Sequence, residues 1–213
     1  PVPAGWLDAR VAGDATVPVL AAGEPPSPEQ LALLALTNRS LGSLVRVDPA
    51  RADASTGAVA AAVPDGLVFA VRIELAGRTI DANGLGALVA IDPPPRLAFV
   101  VSGLYPDGWT GERTVYRRIG GADVPGTLDL TLGRRAWTGP DVPGTVVVRQ
   151  GGNVVARFVI HAGAERTLSL TVPPPPFDVE ITVEPTFSPA DFGLPDARRL
   201  GVQAVFSYPG ARG

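Results

Sequence analysis

Three stretches in the C-terminal half of the chain alternate apolar and polar residues with period two. Leu128, Leu130 and Leu132 interleave with Thr127, Asp129 and Thr131, and Leu168, Leu170 and Val172 with Thr167, Ser169 and Thr171. Val179, Ile181 and Val183 do the same with Asp178, Glu180, Thr182 and Glu184. This period turns one strand face to a core and the other to water. Residues 145–149 and 153–160 flank Gln150-Gly151-Gly152, where paired glycines admit the positive φ angles of a tight hairpin. A last strand over 202–208 puts Val202, Ala204, Phe206 and Tyr208 on one face. Short strands punctuated by Gly and Pro predict an antiparallel β-sandwich of jelly-roll type over residues 98–213. The proline run 173–176 cannot donate ladder hydrogen bonds and reads as a connector crossing an edge.

The N-terminal half reads differently. An apolar run at 17–22 has the look of a buried strand, and Ser27-Pro28-Glu29-Gln30 starts a helix, with Ser at N-cap, Pro at N1 and Gln at N3. Leu31, Leu33, Leu34 and Leu36 follow on it. Further short β-rich runs are predicted at 44–47, 57–63, 67–75, 78–81, 87–91 and 96–101. The fold class expected is mainly β, with a small α/β (or α+β) subdomain over 1–97, divided from the sandwich near Pro93-Pro94-Pro95.

Composition narrows the chemistry. Of 213 residues, 46% are hydrophobic and 18% charged, enough apolar material for a core despite 25 Gly and 23 Pro. The net charge of -3 offers no basic footprint for nucleic acid. The acid excess lies within 1–97, and 98–213 is balanced. With no Cys and one His, disulfides, thiolate metal sites, cysteine nucleophiles and multi-imidazole sites are excluded, and neither metal nor cofactor is expected. No apolar run approaches the roughly 20 residues that span a bilayer. The chain opens on Pro1 and reads as a piece of something longer.

Candidate catalytic groups are few. Gly84 and Gly86 lack the third glycine and the helix of a phosphate loop. His161, at a strand end, would need carboxylates alone as partners and reads as a structural or surface residue. Asp178, Glu180 and Glu184 share one strand face, on which successive residues lie about 7 Å apart, a spacing compatible with glycoside hydrolysis, but a solvated face explains them more simply. Asn38 ends the helix, where Asn tolerates left-handed backbone.

Two clusters stand out. Gly103-Leu104-Tyr105-Pro106-Asp107-Gly108-Trp109-Thr110-Gly111 is turn-rich and carries two aromatics with polar handles, the combination that stacks on sugar rings and takes their hydroxyls. In that reading Tyr105, Trp109, Tyr116 and Trp137 supply stacking surfaces, and Asp107 and Arg113 hydrogen-bond partners. The alternative makes Trp109 a plug closing the sandwich. The second cluster pairs Phe187-Ser188-Pro189 with Asp196-Ala197-Arg198-Arg199-Leu200-Gly201, where Asp196 and Arg198 are placed to fork together and tie a loop to the sheet.

Asn38-Arg39-Ser40-Leu41-Gly42, the Gly-Leu-Tyr-Pro-Asp-Gly-Trp109 segment, Thr186-Phe187-Ser188-Pro189 and Asp196-Ala-Arg198-Arg-Leu-Gly201, in this order, resemble the soluble C-terminal region of actinobacterial multi-spanning membrane glycosyltransferases of the dolichyl-phosphate-mannose mannosyltransferase-like kind. The resemblance implies a polyprenyl-phosphate sugar donor, transfer outside the cytoplasmic membrane, and a catalytic acid in loops between membrane helices that this sequence does not contain. Asn38, Ser40, Gly42, Ser188, Pro189, Asp196, Arg198 and Gly201 therefore carry over only as fold-defining positions. The expectation is a noncatalytic accessory domain on the extracytoplasmic face, partnered by the membrane-embedded part of the same polypeptide, with cell-wall glycan as a further partner. A free-standing carbohydrate-binding module ranks next, and a carboxylate-dependent glycosidase last.

Overall fold

The computed structural model describes residues 4–11, 15–22, 28–53, 56–61, 63, 66–121, 123–135 and 141–208. The chain forms two compact units: Pro1–Val100 with Ile119–Gly121, and Val101–Arg118 with Ala122–Gly213. The division falls a few residues beyond the triple proline, and one short segment returns to the first unit.

In the first unit, β1 (Val17–Ala22), α1 (Pro28–Thr37), β2 (Leu41–Val47), β3 (Leu67–Val71), β4 (Arg78–Ala82) and β5 (Ala87–Ala90) build a mixed sheet in the order β2-β1-β3-β5-β4. β1 runs parallel to both β2 and β3, while β5 is antiparallel to β3 and β4. Apolar clusters pack on both faces of this part of the sheet, and all six residues of β1 are buried. Val19, Ala21, Phe69 and Leu88 pack with Trp6, Leu7 and Val11 on one face; Leu20, Val68, Ala70 and Val89 pack with Val59, Val63, Leu75 and Leu97 on the other. Among the described residues of the run at 57–63, Ala58 makes an isolated bridge to Arg96 and the expected strand does not form; the run serves as a cover. The expected strand 67–75 stops at Val71, because Arg72 takes φ 54° and turns the chain. Ser27, the expected N-cap of α1, lies outside the described residues.

The second unit is a five-on-three β-sandwich. β6 (Phe99–Leu104), β7 (Thr110–Arg118), β9 (Gly144–Gln150), β10 (Asn153–Ile160) and β12 (Phe177–Glu184) form one sheet, ordered β10-β9-β12-β7-β6. β8 (Gly126–Gly133), β11 (Glu165–Val172) and β13 (Gln203–Ser207) form the other, ordered β11-β8-β13. A jelly roll sets its second, seventh, fourth and fifth strands in one sheet and its first, eighth, third and sixth in the other. β7, β12, β9 and β10 occupy the first set, and β13, β8 and β11 the second; the opening strand β6 stays beside β7 instead of joining β13. The alternating leucines and valines point inward as expected, with Leu128, Leu130, Leu132, Val179 and Ile181 wholly buried. Gly151 and Gly152 take φ 54° and 82° in the β9–β10 hairpin. The proline run joins β11 in one sheet to β12 in the other.

β7 is a strand that period-two reading of hydrophobicity misses. Its buried positions are Thr110, Thr114, Tyr116 and Arg118, so the inward face is polar by residue type. Burial works because the polar atoms are used: Thr114 Oγ1 donates to the Gly103 carbonyl at 2.7 Å, and the Arg118 guanidinium lies 4.4 Å over the Tyr208 ring.

Candidate functional site

Both sequence clusters of the second unit meet at one arginine. The β6–β7 turn is closed by Gly108 N–H on the Tyr105 carbonyl at 2.9 Å and by Tyr105 N–H on the Trp109 carbonyl at 2.7 Å, with Pro106 fixing the bend and Gly108 at φ 83°. This turn carries Tyr105 and Asp107. Opposite, Phe187 and Leu200 exchange two backbone hydrogen bonds, 3.0 and 2.8 Å, and pinch the base of the loop between them. Inside that loop Ser188-Pro189 enters a single helical turn, Pro189–Phe192, stopped by Gly193 at φ 82°, and Ala190 N–H reaches the Asp196 carbonyl at 2.8 Å.

Arg198 links the two. Its Nε donates to Asp196 Oδ1 and Oδ2 at 3.0 and 3.1 Å, and Nη2 to Asp196 Oδ2 at 2.7 Å. Its other edge holds Asp107 through Nη1–Oδ1 at 3.0 Å and Nη2–Oδ2 at 2.7 Å, and the guanidinium sits 4.8 Å over the Tyr105 ring. Hydrogen bonds from Arg198 hold both carboxyls below the usual carboxylate range, and the two carboxylates raise Arg198. The predicted Asp196–Arg198 fork is present, and it extends to Asp107.

This geometry removes much of a sugar-gripping surface. One face of Tyr105 is covered, and Asp107 already satisfies a cation. Trp109 is half-buried, edge-on to Phe187 with ring centroids 5.7 Å apart, and bridges to Gln203. Arg113 is exposed and bound to Glu180 at 2.8 Å. Tyr116 leaves the stacking set altogether: it is 2% exposed, on the inward face of β7, stacked 5.0 Å from Phe206 of the opposite sheet. Trp137 lies outside the described residues.

The remaining motif positions have structural work. Gly201 admits no side chain, since a Cβ there would fall 2.5 Å from Thr110 Oγ1 and 2.7 Å from the Gly111 carbonyl. In the first unit, Asn38 accepts the Leu7 N–H on Oδ1 at 2.8 Å and is 1% exposed. Its φ is negative, so it is kept for this hydrogen bond and not for the left-handed backbone expected. Ser40 and Arg39 donate their N–H groups to Asp8 at 2.8 and 3.1 Å, which lowers the Asp8 pKa. Gly42 lets β2 close on β1 where Pro18 interrupts the ladder; its Cβ would lie 3.0 Å from the Val17 carbonyl.

Arg134 was hidden in the sequence, where arginine reads as surface. It is 4% exposed and donates to the carbonyls of Gly201 at 2.9 Å, Pro185 at 3.2 Å and Val142, with its charge 5.1 Å over Phe187; burial lowers its pKa. The signal was its place directly after Leu128, Leu130 and Leu132, in register with their inward face.

Two of the three candidate carboxylates on β12 are engaged by arginines. Asp178 is forked by Arg117 at 2.8 and 2.9 Å, and Glu180 lies between Arg113 and Arg149. His161 Nδ1 sits 2.6 Å from Asp141, whose carboxylate also accepts the Ala162 N–H at 2.9 Å. Among the described residues every carboxyl with a displaced pKa is displaced downward, Asp178 chiefly by the Arg117 hydrogen bonds. A glycosidase acid needs the opposite shift. No group of three His, Asp or Glu side chains is placed to hold a metal, and no helix is long and apolar enough to cross a membrane, among the described residues.

No family model and no curated protein matches the chain. Among solved structures, a β-glucosidase from Kluyveromyces marxianus in complex with glucose aligns over 91% of this chain at 9% identity with a TM-score of 0.26, and the chain spans 26% of that protein. A likeness of that size carries no argument here.

Proposed function

We propose that the chain is a noncatalytic accessory module of a membrane glycosyltransferase, placed on the extracytoplasmic face, where it supports assembly of the parent protein. The observation that supports this reading is the Arg198 node. Three residues within the motifs that carry the glycosyltransferase resemblance in the second unit, Asp107, Asp196 and Arg198, are spent on one another, tying two loops at one end of a sandwich. Such residues define a surface. Held in this way, none of the three is left to act as acid, base or nucleophile.

Two titrations test this. Incubation with aryl glycosides should release no phenol above the buffer rate, and arabinan, galactan and mannan fragments should leave the amide resonances of Tyr105 to Trp109 in place at millimolar sugar. Release of phenol, or saturable shifts confined to that turn, would replace the assembly role with catalysis or acceptor binding. In the full-length parent, Arg198→Ala should lower the level of assembled protein; unchanged assembly removes the proposal.

A further inference from the structure

The first unit holds a cavity of about 600 Å³, and two of its walls end in arginines that the fold leaves unspent. Arg78 opens β4, paired with Ala90 of β5. Arg96 is fixed through its backbone, its carbonyl accepting the Ala76 N–H at 2.8 Å. Gly77 brings these walls together, since a Cβ at that position would come 2.4 Å from the Ala90 carbonyl. Ile91, Pro93 and Ile119 supply apolar lining, and Asp92 one carboxylate.

Several other arginines find acids: Arg10 takes Asp81, Arg51 Asp48, Arg113 Glu180, Arg117 Asp178, and Arg198 two carboxylates. Among the described residues neither the Arg78 nor the Arg96 guanidinium has a hydrogen-bond or ion-pair partner, although Asp92 lines the same cavity. Two planar cationic forks lining one concave site suit a phosphate by their chemistry, since it accepts several charge-assisted hydrogen bonds at once. A bare anion would meet repulsion from Asp92. An anion carried on a hydroxyl-bearing body would instead present a donor to that carboxylate, and the apolar wall would take its C–H surface.

We infer that this cavity binds a small phosphate ester whose organic part carries hydroxyl groups, the phosphate on Arg78 and Arg96 and a hydroxyl on Asp92. The inference is independent of the accessory role proposed for the second unit. It is tested on the 213-residue chain by following amide shifts at constant ionic strength with three probes: glycerol 3-phosphate, inorganic phosphate and glycerol. Glycerol 3-phosphate should saturate with shifts centred on 76–78 and 90–96, phosphate should bind more weakly, and glycerol should not bind. Arg78→Gln and Arg96→Gln should each weaken glycerol 3-phosphate roughly tenfold or more, with circular dichroism confirming that the fold is kept. Asp92→Asn should weaken glycerol 3-phosphate while leaving phosphate as tight or tighter. Absence of saturation, an equal loss from the control Arg46→Gln, or Asp92→Asn affecting both anions alike would overturn the assignment.

Discussion

In the first unit β1 buries every residue it has, whereas in the second unit β12 buries Phe177, Val179, Ile181 and Val183 and turns Asp178, Glu180, Thr182 and Glu184 outward. The difference follows from what lies on each face. β1 sits within a sheet packed on both sides, so neither parity of its residues reaches water. β12 belongs to a sandwich whose outer face is solvated, so parity alone decides the fate of each side chain. A scan along each strand separates the two regimes. Leu20→Ala should cost about 2–5 kcal/mol and its neighbour Val19→Ala at least about 1.5 kcal/mol, since they fill opposite cores. Along β12, Ile181→Ala should again cost about 2–5 kcal/mol, but Glu180→Ala less than about 1 kcal/mol. Denaturant midpoints measure all four, and equal costs at Ile181 and Glu180 would break the contrast.

Next in size is a backbone effect confined to the second unit. Gly201→Ala places a methyl against Thr110 Oγ1, the Gly111 carbonyl and Val183, at 2.5, 2.7 and 3.0 Å. Thr110 Oγ1 is fixed by accepting the Val202 N–H at 2.9 Å and the Gly111 carbonyl is backbone, so both yield poorly. A loss of about 1–3 kcal/mol is expected. Gly193→Ala, with open space around its Cβ, isolates the separate cost of a positive φ.

How far the sequence carried depends on whether its signal was local. The inward leucines of β8, the Gly151-Gly152 hairpin and the Asp196–Arg198 fork span a few residues each, and all are present. β7 escaped because Thr110, Thr114, Tyr116 and Arg118 are buried through hydrogen bonds and ring contacts, which period-two hydrophobicity does not register. For the same reason Tyr116 was grouped with aromatics free to stack on sugars. The reach of Arg198 to Asp107 joins residues 91 positions apart. Nothing near either residue announces the other, and only the topology, with β13 returning beside the β6–β7 turn through the Trp109–Gln203 bridge, brings them together.

That long-range link gives a pH-dependent prediction. The folded pKa values of Asp107 and Asp196 are depressed, so their stabilising contribution is fully present above the ordinary carboxylate range and is lost as pH falls through the folded values. Arg198→Ala should therefore lower the melting temperature by a constant amount between about pH 5 and 8, and the gap should narrow below about pH 4. A gap that widens in acid would mean that Arg198 acts through something other than these two carboxylates. Arg198→Lys should restore little, because an ammonium cannot fork two carboxylates from two flat edges.

The smallest effect concerns the outer face of β12, which in the first unit has no counterpart on β1. Arg117 and Asp178 stand directly opposite in register and pair through two hydrogen bonds, yet their side chains are 37% and 44% exposed. Water screens the pair, and ordering a long side chain offsets part of the attraction, so geometry this good still converts to little stability. A double-mutant cycle with Arg117→Ala and Asp178→Ala should give a coupling of about 0.2–1 kcal/mol that shrinks toward zero in 1 M salt. The same cycle on Arg149 and Glu180, 3.5 Å apart at 32% and 26% exposure, tests distance against burial: a larger coupling there would show that shielding from water outweighs the better hydrogen-bond geometry of Arg117.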